Sequence, residues 1–167
     1  MCVVSTARAA VDELSICFNY GCHDRQTIEV TSEDLAPLRD RFDGVASVEG
    51  EREAIRAAVA GLYSVAARQS PIWRDRGGNF ADDDTHHGRM DCIDHSTNTT
   101  TFLRLLERLG WLRYHAVGER AVRGRVFDVH WTATVVERET GSAFAIDSWF
   151  YDPGRPPVVY TLRDWLA

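Results

Sequence analysis

Residues 92–109 read CIDHSTNTTTFLRLLERL, and the reading of this stretch decides the fold. Leu103, Leu106 and Leu109, with Phe102 and Leu105 flanking, recur at helical spacing, and Gly110 supplies a stop signal. The spacing predicts a helix from Cys92 to Leu109 with Cys92 in its first turn. Ser96, Thr99 and Thr100 stand beside the leucines and few charges fall in the first half, so this helix is expected to be central and largely buried. Peptide N–H groups in a first turn lack intrahelical partners and carry partial positive charge, which favours a thiolate there. Asp91 and Asp94 act in the opposite sense, so activation of Cys92 calls for a nearby cation.

Two strand-like segments follow, VFDVHWTATVVE (Val126–Glu137) and SAFAIDSWF (Ser142–Phe150), both rich in β-branched and aromatic residues. Arg138-Glu139-Thr140-Gly141 between them is a turn signal. A hairpin with an even-length loop pairs even-numbered with odd-numbered residues, and directly paired residues share a face. His130 and Asp147 are thereby expected on one face, where a carboxylate can hold one imidazole nitrogen while the other meets a sulfur. An odd loop would separate them.

In this order, Cys92, His130 and Asp147 form a candidate nucleophile, base and orienting group, and the stretch resembles the transglutaminase-like superfamily of papain-fold enzymes. Cys92-Ile93-Asp94 matches that family's Cys-x-Asp helix start, and Leu103-Arg104-Leu105-Leu106 with Leu109-Gly110 matches its leucine-rich helix end. The resemblance covers Asp91 to Ser148, about a third of the chain. Met90 stands where the family usually has glycine two residues before the cysteine, and Asp147-Ser148-Trp149 where it often has Asp-Pro-Thr. These departures leave the substrate class open. The resemblance implies an α+β papain/transglutaminase-like fold, with N-terminal helices and the nucleophile helix packed on a C-terminal antiparallel sheet. It also implies a cysteine hydrolase or acyltransferase acting on a peptide or carboxamide through a thioester, without metal or organic cofactor. Two other readings are weighed beside it: a non-catalytic peptide- or protein-binding module on the same fold, and a Cys/His metal-binding domain.

Upstream, Val11–Phe18 is read as the end of a first helix, Gln26–Val30 as a short strand, and Thr31-Ser32-Glu33-Asp34 as a capped helix start. Ser47–Arg68 reads as the longest helix, carrying Ile55, Ala58, Val59, Leu62 and Val65 on the side expected to face the cysteine helix. Ser70–Met90 has no clear periodicity and leads directly into Cys92, so it is expected to wall the cleft, with Asn79 or Trp73 as candidate oxyanion donors. Downstream, Trp111–Val117 and Arg120–Arg125 read as strand and turn, Val158–Tyr160 as a strand, and Thr161–Trp165 as a short helix.

The 167 residues, 44% hydrophobic, fit one domain over 1–167. A net charge of −6 without a basic run argues against nucleic-acid binding, and no stretch has the ~20 apolar residues of a membrane span. The expected partner is a peptide or protein substrate. All 19 cationic side chains are arginine, which excludes an internal Schiff-base lysine, a P-loop lysine and self-crosslinking through lysine. Cys17 and Cys22 are spaced for a local disulfide or remain two reduced thiols. The first residues lack a signal-peptide pattern, which predicts a cytoplasmic protein; a disulfide would instead indicate export and a truncated start. His86, His87, Cys92 and His95, with Cys17, Cys22 and His23 elsewhere, are the zinc candidates, but lack the tight ligand pairs of structural sites. Asp82–Asp84 lacks the alternation of a calcium loop.

Overall fold

Along the chain the elements are β1 (Val11–Phe18), β2 (Asp24–Thr31), α1 (Ser32–Arg39), α2 (Val48–Gln69), a 3-10 turn (Pro71–Arg74), α3 (Cys92–Arg108), β3 (His115–Val117), β4 (Ala121–Arg125), β5 (Asp128–Glu137), β6 (Ala143–Asp147), β7 (Val158–Thr161) and α4 (Leu162–Leu166). The structure, a computed structural model, describes residues 11–79, 87–125 and 128–167. The class is α+β, with two antiparallel sheets: β1 with β2, and β3 to β7. The expected strand at Val126–Glu137 begins at Asp128, its first two residues lying outside the described residues.

The reading of Val11–Phe18 as a helix end is overturned. Leu14, Ile16 and Phe18 recur every second residue and are all buried, while Glu13 and Ser15 point out. The whole segment pairs with β2, from Val11 opposite Thr31 to Phe18 opposite Asp24. The N-terminal region is therefore a hairpin followed by helices, and not helices alone. Gln26–Val30 lies within β2, and Thr31 supplies the expected hydroxyl cap of α1 as part of a reciprocal box: its hydroxyl accepts from Asp34 N at 3.2 Å while Asp34 Oδ2 accepts from Thr31 N at 3.1 Å.

Helix α3 lies between the two sheets. Phe102, Leu103, Leu105 and Leu106 are fully buried, and Tyr63 from α2 meets Phe102 edge-on at 4.9 Å. On the other side Asn98 acts as a strand neighbour for β1, accepting from Cys17 N at 2.7 Å and donating to Cys17 O at 2.8 Å. Gly110 ends the helix with φ 73°. The anticipated inner face of α2, Ile55, Ala58, Val59, Leu62 and Val65, is buried throughout.

The second sheet is organised on the long strand β5, which takes β4 along its first half and β3 and β6 along its second. The loop to β6 has the expected even length: Glu137 N donates to Ser142 O at 2.8 Å, leaving residues 138–141 as the turn. Ala133 opposes Ile146, so the parity argument holds and His130 shares a face with Asp147. Pairing between β5 and β6 stops there, and below that point β5 continues with β4 alone. The divergence opens a space at His130.

Glu51 stands in the first turn of α2, where a carboxylate suits the positive helix end. It instead reaches across to the second sheet, where its buried carboxylate accepts from the N–H groups of Arg113, Tyr114 and His115 and from His115 Nδ1 at 2.7 Å. Burial raises its pKa, but the His115 ring and these N–H groups outweigh that and hold it below the ordinary carboxylate value. Glu51→Ala should cost about 3 kcal/mol, because four donors lose a buried charge. The Tm gap between the wild type and Glu51→Gln should be full above the ordinary glutamate pKa and close as pH falls below it, as measured by thermal melts across pH.

Candidate active site

The position of Cys92 follows from how α3 begins. Asp91 is the N-cap: its Oδ1 accepts from the N–H groups of Ile93 and Asp94, both at 2.9 Å, while Asp94 Oδ2 accepts from Asp91 N at 3.1 Å. The remaining oxygens hold the loop after β1, Asp91 Oδ2 accepting from Gly21 N at 2.9 Å and Asp94 Oδ1 from Cys22 N at 2.6 Å. That loop carries the Cys17–Cys22 disulfide, and Asn19, Tyr20, Gly21 and Cys22 all have φ between 57° and 64°. Four left-handed residues in succession turn consecutive N–H groups toward the carboxylates. The two aspartates flanking Cys92 are thus consumed in capping. Burial and the charge of Asp91 push the Asp94 pKa up to about 7, which lessens the negative charge beside the sulfur near neutrality.

Cys92 is the one free cysteine among the described residues and is partly exposed, with Sγ 3.7 Å from Val129 O. Its own N–H opens the helix and needs no intrahelical partner. Across the cleft His130 Nε2 meets Asp147 Oδ2 at 2.6 Å, the two side chains being 12% and 1% exposed. Nε2 is thereby engaged and Nδ1 is the nitrogen left for the sulfur. Burial lowers the His130 pKa, but the Asp147 carboxylate and the Cys92 sulfur outweigh it and raise it to about 9. The arrangement can hold an imidazolium beside a thiolate, or pass a proton between them.

Several positioning groups were not anticipated. Trp165 from α4 donates its indole N–H to Asp147 Oδ2 at 2.9 Å, and the Trp149 N–H reaches Asp147 Oδ1 at 3.2 Å, so the buried carboxylate has three donors. The His130 ring packs against Trp149, Trp165 and Phe150 at 4.8, 5.6 and 5.7 Å. Arg123, opposite His130 on β4, donates to the Trp165 carbonyl and lies over its indole at 4.5 Å. The available sequence signal was chemical: a largely buried indole N–H needs an acceptor, and Trp149 stands next to Ser148 and Asp147.

Behind the cleft, His95 is buried one helical turn after Cys92. Its Nε2 meets Asp75 Oδ2 at 2.9 Å and its Nδ1 meets Ser148 Oγ at 3.1 Å, and Tyr63 Oη meets the same hydroxyl at 3.1 Å. His95 is thus a tie between α3, the segment before it and the end of β6, and does not stand with Cys92 as a zinc pair. Among the described residues one group could offer three metal-ligating atoms, Cys17, Cys22 and Asp94, but the two sulfurs are joined to each other. His87 faces Phe18 and Asn19, while His86 and Asp82–Asp84 lie outside the described residues.

Of the described part of Ser70–Met90, expected to wall the cleft, Asn79 lies in its lining. Gly77 lies so close to the turn after β6 that a Cβ there would come within 2.4 Å of Phe150 O. Asn79 lines the cleft, but its amide donates to Asp75 at 2.8 Å and accepts from Arg89, so it serves the wall. Trp73 is 58% exposed, under Arg74, and is not part of the lining. The cleft itself has a volume of about 840 Å³ and includes Cys92, His130, Trp149 and Leu166. No helix among the described residues is long and apolar enough to cross a membrane.

Compared with family models, curated proteins and solved structures, the chain matches none.

Because the His130 pKa is raised in the folded state, its contribution to stability is full below its ordinary value of 6.5 and is lost as pH rises through about 9. The denaturation free-energy gap between the wild type and His130→Gln should follow that course. Trp165→Phe should cost about 1 kcal/mol by removing one donor from Asp147.

Proposed function

We propose that the chain is a cysteine-nucleophile hydrolase or acyltransferase of transglutaminase-like character, acting on a peptide or carboxamide. The observation that carries this is the 2.6 Å contact of His130 Nε2 with a fully satisfied Asp147, in a cleft whose facing helix begins at Cys92. The order of nucleophile helix, base strand and acid strand supports the family reading, as does Cys-x-Asp at the helix start.

His130 takes the Cys92 proton, and the thiolate attacks the carbonyl carbon, forming a C–S bond as the carbonyl oxygen gains charge. The Cys92 N–H and the positive end of α3 are the groups available to that oxygen. Collapse breaks the C–N bond, and His130 returns the proton to the departing amine or ammonia, leaving a thioester. Water, deprotonated by His130, then releases the acid, or an amine releases a new amide. Asp147 keeps Nε2 occupied throughout, so that one tautomer and one ring orientation are presented to the sulfur. For a small single domain hydrolysis is the favoured outcome. The Cys17–Cys22 disulfide favours an oxidising compartment over the cytoplasm.

Iodoacetamide alkylation of Cys92 at pH 7, mapped by mass spectrometry, tests the pair. The rate should fall about 10- to 100-fold in His130→Ala. A Cys92 that is unreactive, or indifferent to His130, would instead favour a binding module that holds its partner in the same cleft.

A further inference from the structure

Seven large apolar side chains are strongly exposed among the described residues, and three of them, Val129, Phe150 and Leu166, line the cleft around Cys92 at 47%, 39% and 49% exposure. They come from β5, the turn after β6 and α4, and each has partners in the fold. Val129 is paired with Gly124 across the β4–β5 ladder, and its carbonyl is the group 3.7 Å from the Cys92 sulfur. Phe150 rests on Trp149 and His130 at 5.3 and 5.7 Å. Leu166 follows Trp165, which is fixed to Asp147 and by Arg123. Apolar surface left exposed around a cleft of this kind is the usual signature of a recognition surface.

Two charged side chains of the cleft are engaged by the protein itself, and His130 is held by Asp147. Asp91 caps α3 and holds Gly21, while Arg123 is drawn onto α4, donating to the Trp165 carbonyl and covering its indole. A charged substrate side chain lying along Val129 and Leu166 would lose water against apolar side chains. An apolar one would leave water and gain contact.

We propose that the cleft selects acyl substrates with a bulky apolar side chain beside the carbonyl attacked by Cys92, with Val129, Phe150 and Leu166 as the recognising surface. The inference rests on the nucleophile reading above. It is tested on the full chain with N-acetyl-aminoacyl chloromethyl ketones bearing Phe, Leu, Lys or Asp side chains. In each case the Cys92 thiolate forms a C–S bond to the methylene carbon and chloride departs, so labelling rates report recognition without turnover. The Phe and Leu probes should label Cys92 at least about tenfold faster than the Lys and Asp probes. Leu166→Asp should cut the Phe-to-Lys rate ratio by about tenfold, and Leu166→Ser should lower it less; circular dichroism selects whichever variant keeps the fold. Equal rates for all four probes, or a lead for the Lys or Asp probe, would overturn the proposal. Iodoacetamide alkylation of the same samples separates the two levels. Kept dependence on His130 with a flat probe series sinks the substrate class alone, whereas loss of that dependence sinks the nucleophile reading and this inference with it.

Discussion

A helix leaves its first N–H groups without partners, and at α3 two of them are taken by one carboxylate oxygen of Asp91. Asp94 returns the bond to the Asp91 N–H, so the helix can begin at one residue only, and that choice places Cys92 at its first position. The outer oxygens of the same two carboxylates hold the disulfide loop, which in turn ties β1 to the segment entering the helix, with Asn19 N donating to Arg89 O at 2.7 Å. The site on one end of α3 and the hairpin at the start of the described chain are parts of one construction.

Buried carboxylates carry much of the remaining order. Glu51, Asp75 and Asp147 are all at most 1% exposed, and each joins segments distant in sequence. Glu51 joins α2 to the start of β3, Asp75 joins α3 to the segment before it, and Asp147 joins β5 to α4. A buried charge is tolerated when several donors satisfy it, and removing any donor then leaves a costly group behind. These are directional constraints, which an apolar core alone does not supply. They account for how a wall assembled from separate stretches of chain can hold an imidazole to one orientation.

Where the sequence carried a single dominant period, the expectation matched the structure. The leucines of α3, the inner face of α2 and the even loop between β5 and β6 are local patterns, and the last of these alone placed His130 and Asp147 on one face. VDELSICF failed because it satisfies two periods at once: Val11, Leu14 and Phe18 fit a helix, whereas Leu14, Ile16 and Phe18 fit a strand. Pairing with β2 decides it, and pairing is not a property of the segment. The ties made by Trp165 and His95 were not legible for a related reason. Their partners, Asp147 and Asp75, lie 18 and 20 residues away and are selected by tertiary packing. The acidic neighbours of Cys92 were read as opposing charge because capping oxygens and free carboxylates look alike in a sequence.

Helix α4 is five residues long, and an isolated helix of that length has no stability of its own. It is held by the Trp165 indole on Asp147, by the grip of Arg123 on its carbonyl, and by the pairing of β7 with β6 just before it. The same indole that docks the helix also fixes the carboxylate that aims His130. Opening of α4 therefore removes a donor from Asp147 and one aromatic wall from the imidazole in a single step, while the core around α3 stays packed. Opening of this helix alone would thus loosen the His130 imidazole without unfolding the domain.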